Sequence, residues 1–121
     1  ENYQDKYWMT YLGGNTAGYE SGTLKIGMAN SNTLTEADEW SSNNPPLLSP
    51  EDEDARWFEN KTIYKSLVIR DSSKHTGHPF VMYYNAKGET ANYESIAMAV
   101  SDDVESIRRK SCYYEGRRHL W

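Results

Sequence analysis

The chain has 121 residues, enough for one ordinary domain, and its ten Tyr and four Trp give it a ring content that a disordered chain would lack. Its net charge is −5, from 18 acidic and 13 basic residues, with no basic stripe interleaved with aromatics, which argues against a nucleic-acid partner. No apolar run approaches the ~20 residues that a membrane helix needs, so no membrane partner is expected.

In chain order, residues 7–12 are aromatic and β-rich and stop at Gly13-Gly14-Asn15, which reads as a strand. A second strand is expected at 24–29, after Gly18 and Gly22. Residues 31–39 are polar, and Trp40 reopens an apolar contact. Residues 43–50 hold three prolines, and no central strand can form there. Glu51-Asp52-Glu53-Asp54 reads as a solvated acidic loop. A strand over 60–70 ends in the apolar run Leu67-Val68-Ile69. Further strands are expected at 80–85 and 95–100, separated by a loop with Gly88. Residues 104–110 carry two apolar positions, Val104 and Ile107, and suit a single turn or a strand. No helix is expected.

Two blocks recur. Lys6-Tyr7-Trp8-Met9-Thr10-Tyr11 matches Pro79-Phe80-Val81-Met82-Tyr83-Tyr84, and Ile26-Gly27-Met28-Ala29-Asn30-Ser31 matches Ile96-Ala97-Met98-Ala99-Val100-Ser101. The first pair is offset by 73 residues (Met9 to Met82) and the second by 70 (Ile26 to Ile96). Four-stranded antiparallel sheets at such a spacing fit the blades of a β-propeller with long loops. The expected fold is therefore all-β, a partial β-propeller with antiparallel four-stranded blades and an incomplete ring. The division is an incomplete blade at 1–47 with strands two to four, one complete blade at 48–110, and at 111–121 the start of a next blade or an altered tail. A ring typically needs four to eight blades, so open sheet edges would remain, and edge-to-edge self-association is expected. Glu1 falls inside a strand unit, so the chain reads as cut at its N-terminus and its localisation stays open.

The runs Phe80-Val81-Met82-Tyr83-Tyr84-Asn85-Ala86 and Glu94-Ser95-Ile96-Ala97-Met98-Ala99-Val100-Ser101-Asp102-Asp103 resemble the blade signature of five-bladed β-propeller glycosidases of the arabinanase and xylosidase kind, and of the related mannoside phosphorylases. Leu24-Lys25-Ile26-Gly27-Met28-Ala29 with Trp40 is similar to the same signature in the earlier blade. The resemblance covers roughly residues 3–109. It departs from the pattern at Ile107 or Arg108, where an outer-strand Trp is expected, and in the tail after Lys110.

The resemblance implies that the first strand of a blade lines a central funnel, where substrate binds. The expected strand here is Trp57-Phe58-Glu59-Asn60-Lys61-Thr62-Ile63-Tyr64-Lys65-Ser66. Alternation would project Glu59, Lys61, Ile63 and Lys65 to one side. Glycoside cleavage needs two carboxyl groups, and Glu59 is the candidate catalytic one; its plainer reading is a salt-bridged surface residue. Trp57, Asn60, Lys61 and Lys65 are candidate substrate-binding residues, Trp57 by stacking on a sugar ring and Lys65 as a point charge. A packing Trp and a solvent-reaching Lys are the alternatives. Asp54 is a weaker carboxyl candidate.

No cofactor or metal is expected: His75 and His78 lack a third ligand, and Cys112 stands alone. The implied function is that of a fragment of a glycoside hydrolase or glycoside phosphorylase acting on an oligosaccharide or polysaccharide, inactive alone for want of a full catalytic set. The alternatives are a non-catalytic carbohydrate-binding or self-assembling propeller module, and a fragment with no independent role.

Overall fold

In the computed structural model the residues described are 2–17, 22–36, 40–42 and 46–104. They form seven strands and no α-helix: β1 (Asn2–Tyr3), β2 (Lys6–Gly14), β3 (Leu24–Ser31), β4 (Ser41–Ser42), β5 (Thr62–Arg70), β6 (Phe80–Lys87) and β7 (Ser95–Ser101). These make two antiparallel meanders, a first sheet ordered β1-β2-β3-β4 and a second ordered β5-β6-β7. The strands expected at 7–12, 24–29, 80–85 and 95–100 are present, each extended by a residue or more, and the one expected over 60–70 begins two residues later, at Thr62. The first sheet, expected to lack its first strand, has a two-residue one. β1 turns back into β2 through Gln4 and Asp5, both at positive φ (56° and 60°), the geometry of a tight hairpin that follows strand twist. The stretch expected to hold the second sheet's fourth strand, 105–110, and the tail 111–121 lie outside the described residues.

The recurrence in the sequence is a recurrence of register. Met9 faces Ala29 as Met82 faces Ala99, Tyr11 faces Gly27 as Tyr84 faces Ala97, and Tyr7 faces Ser31 as Phe80 faces Ser101. The likeness extends into the following turn. Thr33 N–H donates to Ser31 Oγ at 3.1 Å, and Asp103 N–H donates to Ser101 Oγ at 3.2 Å.

Side chains alternate between the faces of a strand, so each sheet has two distinct faces. The core lies between the sheets. The first sheet contributes Trp8, Leu12, Ile26 and Met28, and the second contributes Ile63, Val68, Phe80, Met82, Tyr84, Ala97 and Ala99. Leu47 and Leu48 close one side, Leu48 pairing with Ile26 through two backbone hydrogen bonds of 3.0 and 3.1 Å. Direct polar contacts also cross, with Ser66 Oγ–H donating to Thr10 Oγ1 at 2.8 Å. Opposite faces of equivalent sheets are thus in contact. Met82 is fully buried while its counterpart Met9 is 43% exposed, and Ile26 is fully buried while its counterpart Ile96 is 42% exposed. Like units stacked in one sense are the packing of neighbouring β-propeller blades. The fold is a partial β-propeller, with no closed ring among the described residues.

Candidate functional site

The connector from the first sheet to the second is a succession of tight turns. Ser49 and Asp52 hold one another: Ser49 N–H donates to Asp52 Oδ2 at 2.8 Å, and Asp52 N–H to the Ser49 carbonyl at 3.1 Å. The acidic run is exposed, as expected, and Glu51 pairs with Lys25 at 2.9 Å. Asp52, though exposed at the surface, is partly desolvated by the surrounding connector, which pushes its carboxyl above its ordinary value. The Ser49 amide opposes this, and the neighbouring charges of Asp54 and Glu59 add to it.

The expected funnel strand over 57–66 is corrected by the structure. Residues 57–60 form a turn, and the strand begins at Thr62. The cause is local. Glu59 N–H donates to the Arg56 carbonyl at 2.9 Å, and the Glu59 carboxylate folds back on the same residue, accepting from Arg56 Nε–H at 2.6 Å and Arg56 N–H at 3.3 Å. The other oxygen of Glu59 accepts from the Tyr84 hydroxyl at 2.7 Å. Glu59 is thus paired with Arg56 and buried, only 3% exposed. The Arg56 guanidinium also lies 4.4 Å from the centroid of the buried Phe58 ring.

The turn presses closely on the second sheet. A Cβ added at Gly88 would stand 1.8 Å from the Trp57 carbonyl oxygen, so the backbone can pass there only with glycine. Trp57 itself is 42% exposed and meets Phe58 edge to face at 5.7 Å. Asn60 Oδ1 accepts from Glu89 N–H at 2.8 Å, Lys61 N–H donates to the Lys87 carbonyl at 3.0 Å, and Thr62 Oγ1 accepts from Leu24 N–H at 3.0 Å. The start of β5, the β6–β7 loop and the start of β3 therefore meet at one end of the sheets. Trp57, Asn60 and Lys61 are exposed there, and so is Tyr93 of the β6–β7 loop.

Lys65 lies apart, at a bulge on the free edge of β5. Tyr64 pairs with Asn85 and Leu67 with Tyr83, so Lys65 and Ser66 together oppose Tyr84. Lys65 takes a left-handed backbone (φ 51°), and its ammonium group lies 5.8 Å from the centroid of the Tyr64 ring. The bulge breaks the expected alternation, and Ile63 and Tyr64 are both buried.

The sequence reading missed Arg56 and Tyr84, which hold Glu59, and Asp52, whose carboxyl feels it. A buried tyrosine hydroxyl calls for a partner, and that was the available signal for Tyr84. Towards the other end, an apolar cavity of about 200 Å³ opens between the sheets, lined by Trp8, Thr10, Met28, Ser66, Val68 and Phe80 among others. At the same end His78 Nδ1 lies 2.8 Å from Asp102 Oδ1.

Two solved structures share this arrangement. One, described as a glycoside hydrolase, is 38% identical with a TM-score of 0.79. The other, described as a complex of BT0996 with RGII, is 37% identical with a TM-score of 0.83. Each alignment takes in 97% of this chain and 34% of the solved one. The chain therefore spans about a third of the length of the structures it resembles. Along that third the likeness is close. No protein-family model and no curated protein matches the chain.

Proposed function

We propose that this chain corresponds to about a third of a carbohydrate-active enzyme, a glycoside hydrolase built on a five-bladed β-propeller. The observation that carries this reading is the alignment of 97% of the chain, at 38% identity, with a glycoside hydrolase. The second likeness, described as a complex with RGII, supports an oligosaccharide as the ligand. The glycoside hydrolase likeness favours hydrolysis over the phosphorolysis of the related phosphorylases.

The sugar-binding end in this reading is that of the turn 57–60 and the β6–β7 loop. Exposed Trp57 offers a ring face for stacking, and Asn60 and Lys61 lie beside it with polar groups. Lys65, further along the free edge of β5, supplies a positive charge. Glu59 is the carboxyl at this end that the turn holds most firmly. Cleavage calls for two carboxyl groups placed across one glycosidic bond, and in a propeller they come from different blades. The chain alone is therefore expected to bind oligosaccharide weakly and to turn over none.

Titration of the purified protein with a panel of oligosaccharides, read by tryptophan fluorescence, tests this. Saturable binding that Trp57→Ala weakens about tenfold supports the proposal. A response unaltered in Trp57→Ala, or rapid hydrolysis of aryl glycosides by the chain alone, would remove it.

A further inference from the structure

Trp57, the exposed ring at the proposed sugar-binding end, sits in a turn that is braced from within. The brace starts on β6. The fully buried Tyr84 donates its hydroxyl hydrogen to Glu59 Oε1 at 2.7 Å, and Glu59 Oε2 accepts from Arg56 Nε–H at 2.6 Å. The Arg56 guanidinium lies 4.4 Å from the Phe58 ring centroid, and the buried Phe58 ring meets Trp57 edge to face at 5.7 Å, with 81° between the planes. Each of these contacts has a preferred direction, so each fixes the posture of the next group. The β6–β7 loop holds the backbone as well, Gly88 lying against the Trp57 carbonyl where no larger residue would pass.

The tyrosine at the equivalent place in the first sheet has another posture. Tyr11 faces Gly27 and its ring covers the glycine, in the space that a Cβ would need. Tyr84 faces Ala97, whose Cβ bars that posture, and its hydroxyl goes to Glu59 instead. The same strand pair thus lays a tyrosine flat in one sheet and directs it to the turn in the other.

We propose that Tyr84 is a positioning residue for the sugar-binding end. Through Glu59, Arg56 and Phe58 it sets the orientation of the Trp57 ring, and it does so without touching sugar itself. The consequence for binding rests on the sugar-binding reading of that end. A stacking ring that is already held loses less freedom when sugar arrives, so a braced Trp57 binds more tightly than the same ring on a slack turn.

Tyr84→Phe removes one oxygen and keeps the buried ring. Its effect is read at the indole N–H signal of Trp57 in nitrogen–proton correlation spectra, assigned by its absence from Trp57→Phe. Trp8 is the internal reference, since its indole N–H donates to the Tyr3 carbonyl at 2.9 Å, towards the other end of the sheets. In Tyr84→Phe the Trp57 signal is expected to shift or broaden while that of Trp8 keeps its place. Tyr11→Phe, the equivalent change in the first sheet, is expected to leave the Trp57 signal where it was. With arabino-, xylo- and manno-oligosaccharides as probes, Tyr84→Phe should bind about threefold more weakly than the original, a smaller loss than in Trp57→Ala. Arg56→Lys retains a cation for Glu59 but lacks the planar group over Phe58, and it should displace the same signal. Circular dichroism establishes that the variants fold, and Arg56→Lys serves in place of Tyr84→Phe if that variant does not. A Trp57 signal unaltered in Tyr84→Phe, one that moves only together with that of Trp8, or an oligosaccharide affinity equal to the original's despite a displaced signal would each overturn the proposal. The indole signal needs no sugar, so an original protein that binds none of the probes counts against the sugar-binding reading and is told apart from a failure of the brace.

Discussion

Glu59 illustrates how a buried charge is tolerated. Its two oxygens accept bonds from Arg56 and from Tyr84, which lies 25 residues further along the chain. Removing one member of a buried pair leaves the other uncompensated and costs more than the pair contributes. Glu59→Ala is therefore expected to lower stability by roughly 3 kcal/mol in urea unfolding. Arg56→Met combined with Glu59→Leu should recover most of that, because no lone charge remains. Asp71 is the contrasting half-buried case. Its Oδ2 accepts from Thr76 N–H and Thr76 Oγ–H, both at 2.9 Å, and the Thr76 amide holds the carboxyl below its ordinary value. A folded-state value below the unfolded one contributes stability above the unfolded value, near about 3.9, which is lost as pH falls through the folded one. The melting temperature of Asp71→Asn should accordingly fall less steeply than that of the original protein between about pH 5 and pH 3.

Within the elements, equivalent positions do different work because their neighbours differ. Met82 is enclosed between the sheets and Met9 is not. Met82→Ala is expected to cost about 2–5 kcal/mol, with a cavity left in the core, and Met9→Ala well under about 1 kcal/mol, both read from denaturant midpoints. The strands were legible in the sequence because short apolar runs ended at Gly, Asn and Asp, and the doubled Met-Tyr and Ile-Met patterns betrayed the repeat. The turn 57–60 was not legible. Trp57 and Phe58 have the composition of a strand, and the Arg56 to Glu59 bridge that accompanies the bend carries no turn residue to mark it. The bulge at Lys65 was hidden for a similar reason, since its left-handed backbone falls on a residue type that gives no sign of it. Trp57, Asn60 and Lys61, the residues proposed from sequence for sugar binding, are exposed at one end of the sheets, whereas Tyr93 beside them lies in a loop that no strand pattern reaches.

At the scale of the whole molecule, everything rests on two like sheets stacked in the same sense, the even-numbered face of β2 against β5. That sense makes the fold a piece of a propeller rather than a sandwich closed by two identical faces. Disulfide trapping reads it directly. Ser66 Oγ and Thr10 Oγ1 are 2.8 Å apart across the sheets, within reach of a disulfide between the same positions. In a Cys112→Ser background, Thr10→Cys with Ser66→Cys should oxidise to an intramolecular bond under mild conditions. Tyr11→Cys with Ser66→Cys, one residue along and on the opposite face, should not. Ready closure of the Tyr11 pair, with failure of the Thr10 pair, would contradict the stacking.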